Sequence, residues 1–227
     1  MRQIDHLIQI HDLGKQYLSG DTLVDAINGM NLAIDDGDFI AVMGQSGSGK
    51  STLLSILGGL NHPTRGEVYV DSLDLYALTA EQRADFRSEY LGFIFQSFQL
   101  VPYLTVLENV TLPMAVTGRK QKIKKQMALE VIERVGLIEK AGRLPDQLSG
   151  GEQERVAIAR AIVNKPPIIL ADEPTGNLDT HTANEIMLLL KSLNEEGHTI
   201  IVVTHNPDVE TYASRCVNVR DGKLLLS

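Results

Sequence analysis

The strongest constraint on the fold of this 227-residue chain is the glycine-rich stretch GQSGSGKST at residues 44–52. It follows the apolar run Phe39–Met43 and precedes a helical pattern at residues 51–60. A strand, the pattern G-x-x-x-x-G-K-[ST] and a helix, in this order, form a loop that binds phosphate groups. Backbone N–H groups in such a loop surround an anion, and the helix directs its positive end towards the same anion. The sequence therefore predicts a nucleoside triphosphate site at the end of a central strand.

The side chains of this loop have separate predicted tasks. Lys50 reaches the β- and γ-phosphates, which gives it a catalytic as well as a binding role, and Ser51 offers a hydroxyl oxygen to Mg²⁺. The predicted contacts to the nucleotide come from the whole loop, namely Gly44, Gln45, Ser46, Gly47, Ser48, Gly49, Lys50, Ser51 and Thr52.

Two more short apolar runs, at residues 168–171 and 199–204, complete the outline of the core. Like the first run they lack polar alternation, which is typical of strands covered on both faces. A helical pattern at residues 182–195 lies between them, and strands that alternate with helices form a parallel sheet. We therefore predict an α/β fold with a P-loop NTPase core, in which a mostly parallel sheet is flanked by helices.

The two ends of the chain have a different pattern. Runs at residues 7–10, 23–34 and 67–70 indicate short, half-exposed antiparallel strands. Residues 217–226 indicate a hairpin that turns at Asp221-Gly222. The core is therefore expected to carry an N-terminal antiparallel β subdomain.

A helical insertion is predicted between about residues 101 and 147. Residues 107–114 indicate one short helix, and Ile123, Met127, Val131 and Ile132 mark a second. We predict a single domain over residues 1–227, with the α/β core at about 1–100 and 165–227 and the helical subdomain at about 101–164.

The run RKQKIKK at residues 119–125 has five basic residues in seven. One interpretation is attraction to anionic lipid headgroups or to an acidic loop of a partner. The preferred interpretation is the solvated face of the second inserted helix, with Ile123 on its buried side.

The composition argues against several classes of protein. A formal net charge of −8 is unlike the basic domain of most nucleic-acid-binding proteins. No run of about 18 apolar residues occurs, so no membrane-spanning helix is predicted. The N-terminus has charges where a signal peptide has its apolar segment, and the single Cys216 excludes an internal disulfide. We expect a cytoplasmic protein.

Polar residues follow the predicted central strands, at the carboxyl edge where parallel sheets bind ligands. Asp172 and Glu173 follow the strand of IILADEP, and we expect Asp172 to hold Mg²⁺ and Glu173 to polarise the attacking water as a general base. His205 ends the next strand at the same edge, within reach of a γ-phosphate. Gln96 ends LGFIFQ and is expected to contact Mg²⁺ and the attacking water from a mobile loop. The catalytic candidates are therefore Glu173, His205, Gln96 and Lys50, and the metal-binding candidates are Ser51, Gln96 and Asp172.

The stretch LSGGEQERVAIARA at residues 148–161 predicts a helix with an unusual beginning. It starts with Ser149-Gly150-Gly151, and each glycine weakens a helix interior by roughly 1 kcal/mol relative to Ala. Glycines there suggest that another group comes close to the amino end of the helix, which is an anion site. Because the chain already has one complete phosphate cradle, we infer that this half-site serves a nucleotide on another copy. The sequence thus predicts ATP-dependent, head-to-tail dimerisation.

The charged residues of the same helix also carry predictions. Ser149 and Glu152 have the spacing of a capping box. Arg155, one turn on, is expected to offset the charge of Glu152. Glu154, Arg155 and Arg160 are expected to form the polar side of the helix.

Taken together, GQSGSGKST, the glutamine of FIFQ, LSGGEQERVAIARA, IILADEP, GNLD and the histidine of VVTH resemble the motifs of ABC transporter ATP-binding subunits. They occur in the order of that family and cover nearly the whole chain. The resemblance implies that Ser149, Gly150 and Gly151 bind the γ-phosphate in trans, that Asp179 contacts the partner subunit, and that Tyr17 stacks on adenine. The chain departs from the family at Glu152, where glutamine is usual.

Three longer stretches, SILGGLNHPTRGEV, LGFIFQSFQLVPYLTVLENVTLP and PIILADEPTGNLD, resemble the lipoprotein-release and macrolide-efflux branch, which includes the cell-division ATPase. The resemblance implies an ATP-bound homodimer on the cytoplasmic side of the inner membrane. It also implies integral membrane permease subunits with a large extracytoplasmic domain as partners. The substrate and the direction of transport are left open.

Two alternatives remain at this point. A soluble ABC ATPase acting on nucleic acid or ribosomes would carry a long coiled coil or a second cassette. Only 98 residues lie between Lys50 and Ser149, and the chain has one cassette. A regulatory switch with little turnover is the other alternative, against which the presence of both Glu173 and His205 argues.

Overall fold

Residues 6–225 are described by the computed structural model of this chain, and the structural statements below concern that range. Within it the strands are β1 (Ile8–Ser19), β2 (Thr22–Ile34), β3 (Phe39–Met43), β4 (Arg65–Val70), β5 (Leu73–Asp74), β6 (Leu91–Ile94), β7 (Ile168–Asp172), β8 (Thr199–Thr204), β9 (Arg215–Arg220) and β10 (Lys223–Leu225). The α-helices are α1 (Lys50–Leu57), α2 (Ala80–Tyr90), α3 (Val106–Thr111), α4 (Gln121–Arg134), α5 (Gly150–Ile162) and α6 (Thr180–Glu195). Short 3₁₀ helices lie at Leu112–Met114, Ile138–Lys140, Pro145–Gln147 and Pro207–Thr211.

The central sheet has six strands in the order β10-β9-β3-β8-β7-β6. All neighbours pair in parallel except β10, which pairs antiparallel with β9. Every residue of β3 and β8 is buried, as expected for strands covered on both faces. The predicted α/β fold with a mostly parallel sheet is confirmed, and its carboxyl edge lies at the ends of β3, β7 and β8.

The two faces of this sheet carry separate hydrophobic cores. Phe39 and Ala41 of β3 pack into one core together with α3, α4, α5 and α6. Ile40 and Val42, which alternate with them, pack into the other core with α1 and the second sheet. The helices between β6 and β7 therefore cover one face of the sheet, and the antiparallel strands cover the other.

The second sheet has four strands in the order β2-β1-β4-β5, paired antiparallel. It confirms the predicted antiparallel β subdomain, but β1 and β2 are longer than the sequence indicated, at 12 and 13 residues. The pairing of β1 with β2 contains register shifts, and such bulges interrupt the alternation of apolar and polar residues. The second half of β1 is also largely exposed, so this part of the strand contains no apolar run from which it could have been predicted.

The predicted helical insertion is present, with two differences from the sequence analysis. The helix predicted at residues 107–114 is α3 followed by a 3₁₀ turn at Leu112–Met114. Pro113 lies in that turn, and because proline has no backbone N–H it does not continue an α-helical hydrogen-bond ladder.

The second difference concerns the basic run in α4. Ile123 was expected on the buried side, but its exposed fraction is 46%, whereas that of Lys124 is 8%. Lys124 Nζ donates to the carbonyl oxygen of Ala115 at 3.3 Å, so its ammonium has a partner while its aliphatic stem packs inside. The buried positions Lys124, Ala128 and Ile132 therefore define the inner face of α4.

The predicted C-terminal hairpin is formed by β9 and β10 and turns at Asp221-Gly222. Its first strand is not part of a separate antiparallel unit, because β9 pairs in parallel with β3. Leu226, which the prediction included, lies outside the described residues. Among residues 6–225, no helix has the length and apolar content needed to cross a bilayer.

Candidate functional site

The glycine-rich loop connects β3 to α1 at the carboxyl edge of the central sheet. Gly47 and Gly49 have φ angles of 78° and 105°, a region that favours glycine. A Cβ atom on Gly49 would lie 2.2 Å from the carbonyl oxygen of Ala26, so only glycine fits there. Lys50 Nζ is buried and donates to the carbonyl oxygens of Gly44 at 2.7 Å and Gln45 at 3.0 Å. The loop thus curls around its lysine, as a phosphate cradle does.

A cavity of about 560 Å³ opens over this loop. It brings together most of the predicted loop residues and three of the predicted catalytic residues, which come from β6, β7 and β8. Its lining consists of Ala26, Gln45, Ser46, Gly47, Gly49, Lys50, Ser51, Thr52, Gln96, Glu173 and His205. The other two loop residues, Gly44 and Ser48, are not part of this lining, and a Cβ on Gly44 would meet the Val219 carbonyl oxygen at 2.3 Å.

Two oxygen-bearing side chains meet beside the cavity. Ser51 Oγ donates to Asp172 Oδ1 at 3.1 Å, which joins the start of α1 to the end of β7. Burial raises the pKa of Asp172, and the hydrogen bond from Ser51 partly opposes that shift. Hydroxyl and carboxylate oxygens are the ligands that Mg²⁺ prefers, so the residues present at this position fit Mg²⁺.

Glu173 is held by three contacts at the end of β7. Its backbone N–H donates to the Val203 carbonyl oxygen at 2.9 Å, and its φ angle is 47°, which is unusual for a residue with a side chain. Thr204 Oγ1 donates to Glu173 Oε2 at 2.9 Å, and His205 Nδ1 lies 2.7 Å from Oε1. Both carboxylate oxygens are therefore fixed, and the side chain lines the same cavity as Lys50.

Gln96 enters the cavity from the loop after β6. The carbonyl oxygen of Gln96 accepts a hydrogen bond from Asn177 Nδ2 at 2.8 Å. Asn177 belongs to the GNLD stretch that precedes α6. The loop of Gln96 is thereby joined to the segment between Glu173 and Asp179.

The predicted capping box at the start of α5 is confirmed. Ser149 N–H donates to Glu152 Oε2 at 2.9 Å, and Glu152 N–H donates to Ser149 Oγ at 3.4 Å. The expected pairing of Arg155 with Glu152 is wrong, because Arg155 pairs with Glu185 at 3.0 Å. Lys140 pairs with Glu152 instead, and this contact holds the pKa of Glu152 below its usual range. The carboxylate that departs from the family pattern is thus neutralised by a lysine from a neighbouring turn.

The two glycines of α5 have different surroundings. A Cβ on Gly151 would lie 2.3 Å from Thr182 Cγ2, whereas a Cβ on Gly150 would make ordinary contact with Leu178 at 3.4 Å. The group that comes close to Gly151 within the chain is therefore a methyl group of α6. Ser149, Gly150 and Gly151 are not among the residues that line the cavity of their own chain, and their contact with a nucleotide in trans stays a prediction.

Glu154 was expected on the polar side of α5, but it lies on a buried side of the helix. Its exposed fraction is 1%, and its Oε1 atom has no hydrogen-bond partner among the described residues. Burial raises its pKa to about 8. The helix is covered on most sides from this residue to its end, because α3, α4 and α6 pack around it.

Tyr17 and Asp179 lie apart from the cavity lining. Tyr17 on β1 is 40% exposed, and its hydroxyl accepts a hydrogen bond from Asn61 Nδ2. Asp179 caps α6, where it accepts hydrogen bonds from Thr182 N–H at 3.1 Å and Thr182 Oγ1 at 2.6 Å. These bonds lower the pKa of Asp179, so it is a carboxylate at neutral pH. Their roles towards adenine and the partner subunit stay predictions.

Three residues that shape the site were not predicted from the sequence. Thr204 orients Glu173, Asn177 binds the Gln96 carbonyl group, and Ala26 lines the cavity. A threonine that ends an apolar strand next to a histidine was a usable signal for Thr204. The other two contacts join segments that are far apart in the sequence, and no local pattern indicates them.

Comparisons with known proteins agree with this geometry. Residues 27–176 match the family described as "ABC transporter". The ABC transporter ATP-binding protein YvrO of Bacillus subtilis is 46% identical over 220 residues, which cover 97% of this chain and 96% of YvrO. The macrolide export ATP-binding/permease protein MacB of Rhodopirellula baltica is 46% identical over 219 residues, which cover 95% of this chain and 32% of MacB.

Solved structures of MJ0796, a Methanocaldococcus jannaschii protein, are similar along nearly the whole chain. Its dimeric structure has a TM-score of 0.90 at 45% identity and covers 96% of this chain and 97% of MJ0796. A dimeric post-hydrolysis state of MJ0796 with ADP and Pi has a TM-score of 0.89 at 43% identity, with the same coverage. On the extent of these matches and on the motifs that the cavity brings together, this chain belongs to the ABC transporter family.

Proposed function

We propose that this chain is the ATP-binding and ATP-hydrolysing subunit of an ABC transporter complex, and that ATP-driven closing and opening of its homodimer moves a membrane partner. The observation that carries the proposal is the single cavity shared by the glycine-rich loop, Gln96, Glu173 and His205. A loop for phosphate groups and a fixed carboxylate beside it are the two parts that hydrolysis of a nucleoside triphosphate needs.

The proposed mechanism assigns one task to each group. The backbone N–H groups of residues 44–52 and the Lys50 ammonium bind the phosphate groups of ATP. Ser51 and Asp172, with Gln96 from the adjacent loop, hold Mg²⁺, which when bound spreads the negative charge of the phosphates. Glu173 accepts a proton from the attacking water.

The partners of Glu173 support its role as the general base. Thr204 Oγ1 and His205 Nδ1 each hold one carboxylate oxygen, so the side chain keeps one orientation. His205 also lines the cavity, and its proposed role is to contact the γ-phosphate. A positioned general base contributes about 10² to 10⁴ in rate, and Glu173→Gln should therefore lower turnover by more than about tenfold with ATP binding retained.

The homodimer is proposed to join two chains head to tail. Ser149, Gly150 and Gly151 do not line the cavity of their own chain, and the dimeric structures of MJ0796 support pairing of two cassettes. In this arrangement they bind the γ-phosphate held by the other copy, with the amino end of α5 as the anion site. Asp179 contacts the partner subunit, and Tyr17 stacks on adenine.

The membrane partner is proposed to be an integral permease with a large extracytoplasmic domain, of the type used in macrolide efflux or lipoprotein release. The similarity to MacB, named an ATP-binding/permease protein, supports a permease partner. The chain would sit peripherally on the cytoplasmic side of the inner membrane. The helical subdomain, proposed at about residues 101–164 between core segments at about 1–100 and 165–227, exposes apolar side chains for such a partner, including Tyr103 at 78% and Val116 at 81%.

The experiment that tests this proposal uses the Glu173→Gln variant, which should hold the ATP-bound dimer. The variant is purified with Mg-ATP from detergent-solubilised native membranes, and the proteins that accompany it are identified by mass spectrometry. The matched control is Glu195→Gln, the same chemical change at an exposed position near the end of α6. Enrichment of a membrane protein with few spanning helices and a large external domain, in the variant over the control, is the expected result. Enrichment of ribosomes, nucleic acid or soluble proteins alone would support the soluble ATPase instead.

A further inference from the structure

The loop that carries Gln96 has an unfavourable backbone conformation. Phe98 and Gln99, two and three residues after Gln96, have φ angles of 56° and 52°. Residues with a Cβ atom adopt this left-handed region at a cost, and consecutive ones do so rarely. Contacts from the surrounding structure must therefore hold the loop in this form.

Arg160 of α5 makes two such contacts. Its Nη2 donates to the Phe98 carbonyl oxygen at 2.6 Å, and its Nη1 donates to the Gln99 carbonyl oxygen at 2.5 Å. The planar guanidinium presents parallel donors, so it fixes the directions of both carbonyl groups at once. Within the described residues Arg160 has no ion pair, and its donors serve the backbone of this loop.

Asn177, from the segment before α6, also holds this loop. Its Nδ2 donates to the Gln96 carbonyl oxygen at 2.8 Å, so the residue that enters the cavity is itself anchored. Asn177 is exposed and lies in the segment between Glu173 and Asp179. The side chain of Gln96 is also near this segment, because a Cβ on Gly176 would lie 3.6 Å from Gln96 Nε2.

The loop further touches the beginning of α5. A Cβ on Gly150 would lie 3.9 Å from Phe98 Cζ, so the ring of Phe98 is next to the Ser149-Gly150-Gly151 start. The same helix thus contacts the loop near its first residues and again through Arg160.

We propose that Arg160 and Asn177 are positioning residues that hold Gln96 in the nucleotide cavity, and that Arg160 ties the position of Gln96 to that of α5. The inference rests on the proposed function, because Gln96 acts on ATP there and α5 binds ATP in trans. A shift of α5 on dimer closure is then transmitted to Gln96 through two hydrogen bonds. Neither Arg160 nor Asn177 needs to contact the nucleotide for this purpose.

The first test measures amide hydrogen exchange in residues 95–104 of the nucleotide-free protein. Arg160→Gln and Asn177→Ala should each speed exchange in this segment, and Arg160→Lys should retain part of the protection. Asn177 is exposed, so its replacement leaves the fold intact even if Arg160→Gln weakens it. The control is Arg155→Gln on the same helix, whose hydrogen bond goes to Glu185. Unchanged exchange in both Arg160→Gln and Asn177→Ala would overturn the proposal.

The second test is a double-mutant cycle on ATPase activity with Arg160→Gln and Gln96→Ala. Because one residue acts through the other, we expect Arg160→Gln to lower kcat about tenfold with KM for ATP changed less than about twofold, and to have little further effect in the Gln96→Ala background. Independent, multiplicative losses would contradict the positioning role. An unchanged kcat in Gln96→Ala would instead contradict the role of Gln96 in the proposed function, and the exchange result would then decide the anchoring by itself.

Discussion

The buried carboxyl group of Glu154 should make the stability of this protein fall as the pH rises. Its side chain is 1% exposed and its Oε1 atom has no hydrogen-bond partner within residues 6–225. Burial raises its pKa from 4.5 to about 8, and the charge of Arg160 opposes part of that shift. The folded chain therefore keeps a proton that the unfolded chain releases above pH 4.5.

The sign and size of the effect follow from this difference in proton binding. Below pH 4.5 both states are protonated and no penalty exists, whereas between pH 4.5 and 8 the folded state binds more protons and loses stability as the pH rises. Each pKa unit corresponds to about 1.4 kcal/mol, so the change between pH 5 and pH 8 is about 3 kcal/mol. Glu154→Gln keeps the shape of the side chain and removes its titration.

Urea unfolding of the wild type and Glu154→Gln at pH 5, 6, 7 and 8, followed by circular dichroism, measures this effect. The stability of the variant relative to the wild type should rise by about 3 kcal/mol from pH 5 to pH 8. The unfolding free energy of Glu195→Gln, a change at an exposed position, should vary with pH in the same way as that of the wild type. A stability difference between wild type and Glu154→Gln that is the same at every pH would contradict this prediction, because it would mean that the carboxyl group is not held protonated.

Three further predictions test individual contacts. Gly151→Ala should lower the unfolding free energy by about 1–3 kcal/mol, because its Cβ would lie 2.3 Å from Thr182 Cγ2. Thr182→Ser, which removes that methyl group, should restore most of the lost stability in urea unfolding. Stability changes of the two substitutions that simply add in the double variant would contradict a steric clash between these two side chains. Asn109→Leu should cost about 3 kcal/mol or more in the same assay, because fully buried Asn109 bonds to the backbone of the loop before α3 at four points. Thr204→Val should lower kcat about tenfold with little change in KM for ATP, because it frees one oxygen of Glu173; an unchanged steady-state kcat would contradict that orienting role.

The parts of the fold that the sequence predicted best are those with an unbroken local signal. The runs that became β3, β7 and β8 are short, apolar and nearly or fully buried, so their composition alone indicated central strands. Helix α2 had no such signal, because Phe86 is its one buried residue. Its start nonetheless carries a capping box of Thr79 and Gln82, which a search for end signals would have found.

The candidate site likewise has parts that the sequence indicated and parts that it did not. The phosphate loop and the Asp172-Glu173 pair are contiguous in the sequence, and their types and spacing indicated their chemistry. The bond from Asn177 to the Gln96 carbonyl group joins residues 81 positions apart, and those from Arg160 reach across 61 and 62 positions. Such contacts depend on how the segments pack, and a local pattern contains no information about them.

ATP is proposed to drive two of these chains together, and the most direct test measures the molecular mass of the Glu173→Gln variant by sedimentation. The variant should have the mass of one chain without nucleotide or with ADP, and the mass of two chains with ATP. In the double variant Glu173→Gln with Lys50→Ala, which lacks the phosphate-binding ammonium, the mass should stay that of one chain. A Glu173→Gln protein that binds ATP and still sediments as one chain would contradict ATP-driven dimerisation.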